Sequence, residues 1–349
     1  MDATAPWPEL PYEAWKDTLE TLHMKLQVIG KLRLALAPFE PQWQNVPLYL
    51  TARGLTTTPM ASGSQIFQVD VDLIDHQVMV VTNQGDSRRI ELKARPVAEF
   101  YRDLMAALRS LRIEVEISPR PSEVANPIPF AEDTTHFAYD PACVGRFFQV
   151  LSQIDIVLKE YRAPFRGKTS LVNFFWGSFD LALTRYSGRF IEPPKTGSII
   201  MRKGADAEVI CVGFWPGNEK VPAPNFFAYA APAPPGIDKE TVRPAAAHWD
   251  PAVGEFLLPY QDVRKSSSPH EAILEFCESV YAAGARLAHW DPSLVMQEDG
   301  HPANGTKELE TPLPNPPRKG AGKARLVPNR KGGGRVEVSS QPLRMEQKN

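Results

Sequence analysis

Apolar and polar residues alternate most regularly over residues 172–188, VNFFWGSFDLALTRYSG. A period of two is the mark of a strand, so this stretch predicts one long strand with two unlike faces. Phe175, Phe179, Leu181 and Leu183 share the face expected to enter a core. Phe174, Trp176, Ser178, Asp180 and Thr184 share the other, which is too aromatic for open water and too polar for a dry interior. Such a face lines a small-molecule pocket or lies under a loop.

The rest of the chain falls into similar elements. Trp15, Leu19, Leu22, Leu26 and Ile29 recur at helical spacing and predict an amphipathic helix over residues 12–36, with His23 beside the stripe. Val46, Leu48, Leu50 and Ala52 alternate with Tyr49, Thr51 and Arg53, a second two-faced strand that ends at Gly54 and Pro59. Phe67 to Leu73, Gln77 to Thr82 and Arg88 to Leu92 read as an antiparallel meander. A helix over residues 96–111 follows, then a short strand at Ile113, Val115 and Ile117. Pro119, Pro121, Pro127 and Pro129 mark a connector.

Beyond the connector, Asp140 and Pro141 start a helix that reaches residue 162. The strand at 172–188 comes next, then strands at 208–213, 225–230 and 256–258, and a last helix begins at Ser268 and Pro269. The two stretches share an order of long helix, strands and Pro-started helix, and Leu50-Thr51-Ala52-Arg53-Gly54 answers Leu183-Thr184-Arg185-Tyr186-Ser187-Gly188. This predicts a diverged duplication of a helix, four-strand, helix unit. The fold class is α+β: two similar halves, residues 7–117 and 136–296, packed as one body around a connector at 118–135. If the two sheet faces meet, Arg53 and Asp180 approach one space.

Charge separates the tail from the body. Of a net charge of −2, residues 301–349 carry ten Lys/Arg against four Asp/Glu, so residues 1–300 hold about −8. Residues 297–349 are rich in Gly, Pro and basic residues and predict a disordered tail. An acidic body argues against nucleic acid as a partner, except weakly through that tail. No apolar run of spanning length and no signal-peptide pattern occurs, which predicts a cytoplasmic protein without a membrane partner. Cys143, Cys211 and Cys277 are odd in number and scattered, which speaks against a disulfide framework or a zinc knuckle.

The sequence carries no phosphate-loop, dinucleotide, zincin, calcium-loop or nucleophile-elbow motif, so no cofactor is expected. Asp70 and Asp72 share a strand face without further ligands and read as a solvated pair rather than a metal site. The candidate ligand-binding residues are Tyr49, Arg53, Trp176, Asp180, Arg185 and Trp215. Arg53 or Arg185 would pair with an anionic group, Trp176 and Trp215 would supply stacking area, and Asp180 would act as acceptor or general base. The rival reading is an interaction module that offers an exposed aromatic patch to a partner chain.

At VPLYLTARGLTTTP, FFWGSFDLALTRYSGR, GFWPG and GEFLLPYQDVR the chain resembles a bacterial family known only as a domain of unknown function. The resemblance spans Trp7 to Trp290 and implies a single cytoplasmic unit with no established activity. Its pattern often carries a His at the position of Asn173 and Ser-His-Glu at Asp206-Ala207-Glu208. Both histidines are absent from this chain, so chemistry that depends on them is not expected to transfer.

Overall fold

The first long helix, α1 (Lys16–Leu36), is the axis of the molecule. The computed structural model describes residues 6–296, and from Thr21 to Arg33 every residue of α1 except His23 is buried. A helix enclosed in this way is ordinarily apolar all round. Here the polar members are buried because each finds a partner inside, since an unpaired buried donor is expensive. Lys25 Nζ donates to the Lys93 carbonyl oxygen at 2.8 Å. Gln27 grips Ser122 of the connector twice, donating to its carbonyl at 2.7 Å and accepting from its N–H at 2.9 Å. Arg33 donates to the Thr57 carbonyl oxygen and to Thr58 Oγ1. The single amphipathic stripe expected from the sequence thus understates the burial of α1.

Around α1 stand two antiparallel sheets. The first contains β1 (Tyr49–Thr51), β2 (Gly54–Thr56), β3 (Met60–Ser62), β4 (Gln65–Asp72), β5 (Gln77–Thr82) and β6 (Ser87–Glu91), ordered β1-β2-β4-β5-β6 with β3 also on β4. Helix α2 (Val97–Ser110) packs behind it through Val97, Phe100, Leu104 and Leu108. Helix α3 (Pro141–Arg162) opens the second half. The Asp140 carboxylate accepts from the N–H groups of Ala142 and Cys143, as an N-cap should. The second sheet contains β7 (Asn173–Phe175), β8 (Asp180–Phe190), β9 (Ala207–Trp215), β10 (Asn225–Ala231), β11 (His248–Asp250) and β12 (Glu255–Pro259), in the order β11-β12-β10-β9-β8-β7. A short helix α4 (Ile199–Gly204) sits between β8 and β9, and α5 (Tyr260–Lys265) and α6 (Pro269–Leu287) follow β12.

The sheets touch at their β1 and β7 edges. Leu48 and Phe174 exchange backbone hydrogen bonds of 3.0 and 2.9 Å, the one bridge between the two ladders among the described residues. Both halves belong to a single compact unit. The tail expected at 297–349 lies outside the described residues.

Four expectations need correction. The stretch 172–188 is a hairpin rather than one strand: β7 turns through Trp176-Gly177-Ser178-Phe179 into β8, and Phe174 pairs with Leu181. Phe179 adopts φ +64°, a conformation rare for a bulky residue, and is held there by rings of Phe174, Phe147 and His23. The face assignment holds for Phe179, Leu181 and Leu183 in the core and for Asp180 and Thr184 opposite, but it fails before the turn, which restarts the alternation: Phe174 and Trp176 enter the core and Phe175 faces outward beside Asp180. Ile113, Val115 and Ile117 form no strand. Each half carries six strands, not four. Finally, Arg53 lies in the β1–β2 turn and Gly54 opens β2, whereas Leu183 to Gly188 lie within β8, so the matched segments occupy different places in their sheets.

Candidate functional site

Strand β8 presents two chemically opposite faces. Leu181, Leu183 and Arg185 point to α3 and α6, together with Phe214, Val212 and Ile210 of β9. Asp180, Ala182, Thr184 and Tyr186 point the other way. The pairing registers extend this outer face across the sheet in three rows. One row carries Phe175, Asp180, Trp215 and Asn225. The next carries Asn173, Ala182, Gly213, Phe227 and Leu257. The third carries Thr184, Cys211 and Tyr229 and continues to Glu255, which pairs with Asp250.

Small residues in the middle row shape the floor. A Cβ at Gly213 would stand 2.4 Å from Phe227 Cζ, so the Phe227 ring lies over the glycine. Tyr229 stacks nearly parallel to Phe227, with centroids 6.4 Å apart and planes 12° from parallel. Phe175, Trp215, Phe227 and Tyr229 are each half-buried, giving an aromatic strip with an acid in each flanking row.

Those acids are out of their ordinary state. Desolvation pushes the Asp180 carboxyl up to about 7, against the Ser178 hydroxyl that donates to it, and Glu123 and Glu255 add repulsion. Burial likewise pushes Glu255 up to about 7, and crowding by neighbouring atoms raises the solvent-exposed Glu123. None of the three has a cation within ion-pairing distance among the described residues. Beneath them, desolvation raises the Cys211 thiol to about 12, so this thiol is no nucleophile even with Thr184 and Tyr229 hydroxyls leaning on it.

Of the six residues singled out from the sequence, the fold brings Asp180 and Trp215 together on this strip. Trp176 is buried in the core, its Nε1 donating to the Val46 carbonyl at 2.8 Å. Tyr49 lies under the Arg33 guanidinium, 5.1 Å from its ring centroid. Arg53 is a surface residue bound to Asp72 at 2.8 Å and Asp75 at 2.7 Å, so it does not converge on Asp180. Arg185 is fully buried on the opposite face of β8, against Tyr161, Phe165 and Tyr281, and pairs with Glu278 at 3.0 Å. Sequence reasoning missed Glu255, Phe227, Tyr229 and Glu123. Glu255 stands in GEFLLPYQDVR, and its alternation with the core residues Phe256 and Leu258 was the available signal; Glu123 had none.

Other candidates are accounted for by structure. His23 is half-buried beside the Gly177 carbonyl, 3.0 Å away, and desolvation lowers it to about 4, so it is a neutral structural histidine. Asp72 is not solvated: it accepts from the N–H groups of Ile74 and Asp75 and holds Arg53. Two surface grooves lie elsewhere, one of ≈ 320 Å³ along α2 and one of ≈ 550 Å³ beside Ser266–Ser268 and Glu278.

No curated protein and no solved structure matches the chain. One family profile does, over residues 7–297, which takes in every element described above. Asp180, Trp215 and Glu255 come from three of the separate segments that carry the resemblance, and the fold gathers them on one sheet face. The chain belongs to a family of unknown function, DUF5996.

Proposed function

We propose that this protein binds a small molecule on the outer face of its second sheet, between Asp180 and Glu255 and over Trp215, Phe227 and Tyr229. The observation that carries the reading is a pair of desolvated carboxyls without a cation, set in an aromatic strip. Desolvating an acid costs stability unless something else returns the lost interaction. A ligand that brings hydrogen-bond donors or positive charge does so, and aromatic faces favour a cation over them. An anionic ligand loses its support, because Arg53 and Arg185 are both engaged elsewhere. A carboxyl near 7 is also suited to moving a proton, so any catalytic role falls to Asp180.

The free, buried cysteines suit a reducing compartment, and we assign the protein to the bacterial cytoplasm. Each half opens on a long helix, carries six strands and closes on a helix, which supports a duplication despite the mismatch of the Leu-Thr segments and the extra α4 and α5 of the second half. Among the described residues, no helix is long and apolar enough to cross a membrane.

A thermal-shift screen of amines, amides, sugars and carboxylates on wild type and Asp180→Asn tests the reading, since a ligand of the native state raises the melting temperature. Amines or polyols should stabilise the wild type and lose their effect in the variant. Stabilisation by carboxylates alone, undiminished in the variant, would place the ligand elsewhere.

A further inference from the structure

Exposed apolar side chains are scattered over the described surface, but Phe190, Ile199, Ile200 and Met201 are close in sequence and form one group at α4, away from the aromatic strip. Phe190 is 84% exposed, Ile199 46% and Met201 50%. Phe190 pairs with Ala207, and Ile191 N–H donates to the Asp206 carbonyl at 3.0 Å, so the end of β8 adjoins the residues that follow α4. The exposure does not come from a loose segment. Ser198 caps α4 by accepting from the Met201 N–H. Trp43 donates from Nε1 to the Ile200 carbonyl at 2.9 Å, and its ring fills the space where Gly204 lacks a Cβ, 2.4 Å from that position. Phe39 meets the Trp43 ring edge-on at 5.7 Å and is itself 60% exposed. The underside of α4 is thus anchored, and its Ile and Met side chains are held outward.

Charge separates this patch from its surroundings. Arg202 and Lys203 follow the apolar residues directly, are exposed, and have no acidic partner among the described residues. The nearby acids are occupied: Asp206 accepts from the Gln42 amide, Glu208 holds Arg189, and Glu192 lies 3.7 Å from Lys195. On a body that carries about −8 over residues 1–300, this is a local cationic surface with apolar tips.

We propose that the α4 surface docks on an anionic lipid bilayer, with Phe190, Ile199 and Met201 entering the headgroup boundary and Arg202 and Lys203 meeting lipid phosphates. Apolar side chains flanked by cations are the chemistry of interfacial binding, in which burial and attraction to anionic lipid act together. The acidic remainder of the body is repelled by the same surface, which turns α4 toward it. The sequence expectation of no membrane partner rested on the lack of a spanning segment, and that does not bear on peripheral docking.

Co-sedimentation of the full chain with vesicles of phosphatidylcholine alone and of phosphatidylcholine with about a third phosphatidylglycerol tests this, because surface charge attracts within a Debye length. The basic stretch at 318–335 can hold anionic vesicles by charge alone, so the variants leave it intact. Phe190→Ser/Ile199→Ser/Met201→Ser removes apolar surface without altering charge, and a circular-dichroism melt verifies its fold. The wild type should sediment with the anionic vesicles, and the triple variant should lose roughly tenfold or more in partitioning. Arg202→Gln/Lys203→Gln should weaken binding several-fold in 0.1 M salt and by less in 0.5 M, where charge is screened. Equal sedimentation of wild type and triple variant overturns the proposal. So does light scattering that shows a dimer which the triple variant dissociates, since the patch would then be covered by a second copy.

Discussion

Gly30 of α1 lies against the face of Trp176: a Cβ there would stand 2.2 Å from the indole Cγ, Cδ1 and Cδ2 atoms. The close approach ties the central helix to the β7–β8 turn, and the indole cannot swing freely because its Nε1 donates to Val46 across the seam of the sheets. Gly30→Ala therefore sets about 1 kcal/mol of gained helix propensity against overpacking of about 1–3 kcal/mol plus a strained hydrogen bond. A net loss of stability is expected in denaturant melts. A gain would mean that the ring can move aside.

Leu22 and Leu151 sit at the centres of the two long helices and are 0% and 1% exposed. Emptying either site should cost about 2–5 kcal/mol, the usual range for a core leucine. Urea titrations of Leu22→Ala and Leu151→Ala measure it, and a near-zero cost at either would contradict a shared core.

Much of the fold was legible because period and punctuation act locally. The caps at Asp140 and Ser268, the prolines after them, and the β4–β5–β6 meander appear where spacing and turn residues put them. What failed was tertiary. The polar residues of α1 concealed its burial, since Lys25, Gln27 and Lys31 reach partners 68 to 95 positions away that no local pattern reveals. The hairpin at Trp176–Phe179 kept a period of two in its letters while reversing the chain. The site followed the same rule: Asp180 and Trp215 were visible as polar and aromatic residues in specific motifs, whereas their meeting with Glu255 depends on strand order.

Arg185 is the largest fully buried side chain among the described residues, with its guanidinium carbon 3.4 Å from the Tyr161 ring centroid and 4.6 Å from that of Tyr281. Its flat, weakly hydrated cation suits an aromatic cage, and an ammonium does not. Glu278 reaches solvent, so removing the arginine leaves no stranded buried charge. Nε of Arg185 is buried without a partner, a cost already present in the native state. Arg185→Lys should lose about 3 kcal/mol or more, and Arg185→Met, which fills the cage without charge, should lose less. Chemical denaturation of the pair gives the order; a milder lysine variant would contradict the cage.

The outer strip makes its own forecast through pH. Asp180 and Glu255 titrate near 7 in the fold, against ordinary values of 3.8 and 4.5, so between those limits the native state holds more protons than the unfolded chain. Their contribution is fully present below about 4 and is lost as pH rises through 7. His23 acts in the opposite sense: it stays neutral in the fold down to about 4 from an ordinary 6.5, so stability falls as pH drops through that window. At pH 8 His23 is neutral in both states and no longer offsets the acids, and the lowered Lys25 is common to wild type and variant. Asp180→Asn removes one of those charges and should be more stable than wild type at pH 8, with the advantage shrinking toward pH 5. Ligand binding at the strip should fall in the same variant, because the charge that strains the fold is the one a donor would use. Melts of both proteins at pH 5 and pH 8 decide the matter. A variant less stable than wild type at pH 8, with ligand response unchanged, would make Asp180 a structural carboxylate held by Ser178 and would move the site away from this face.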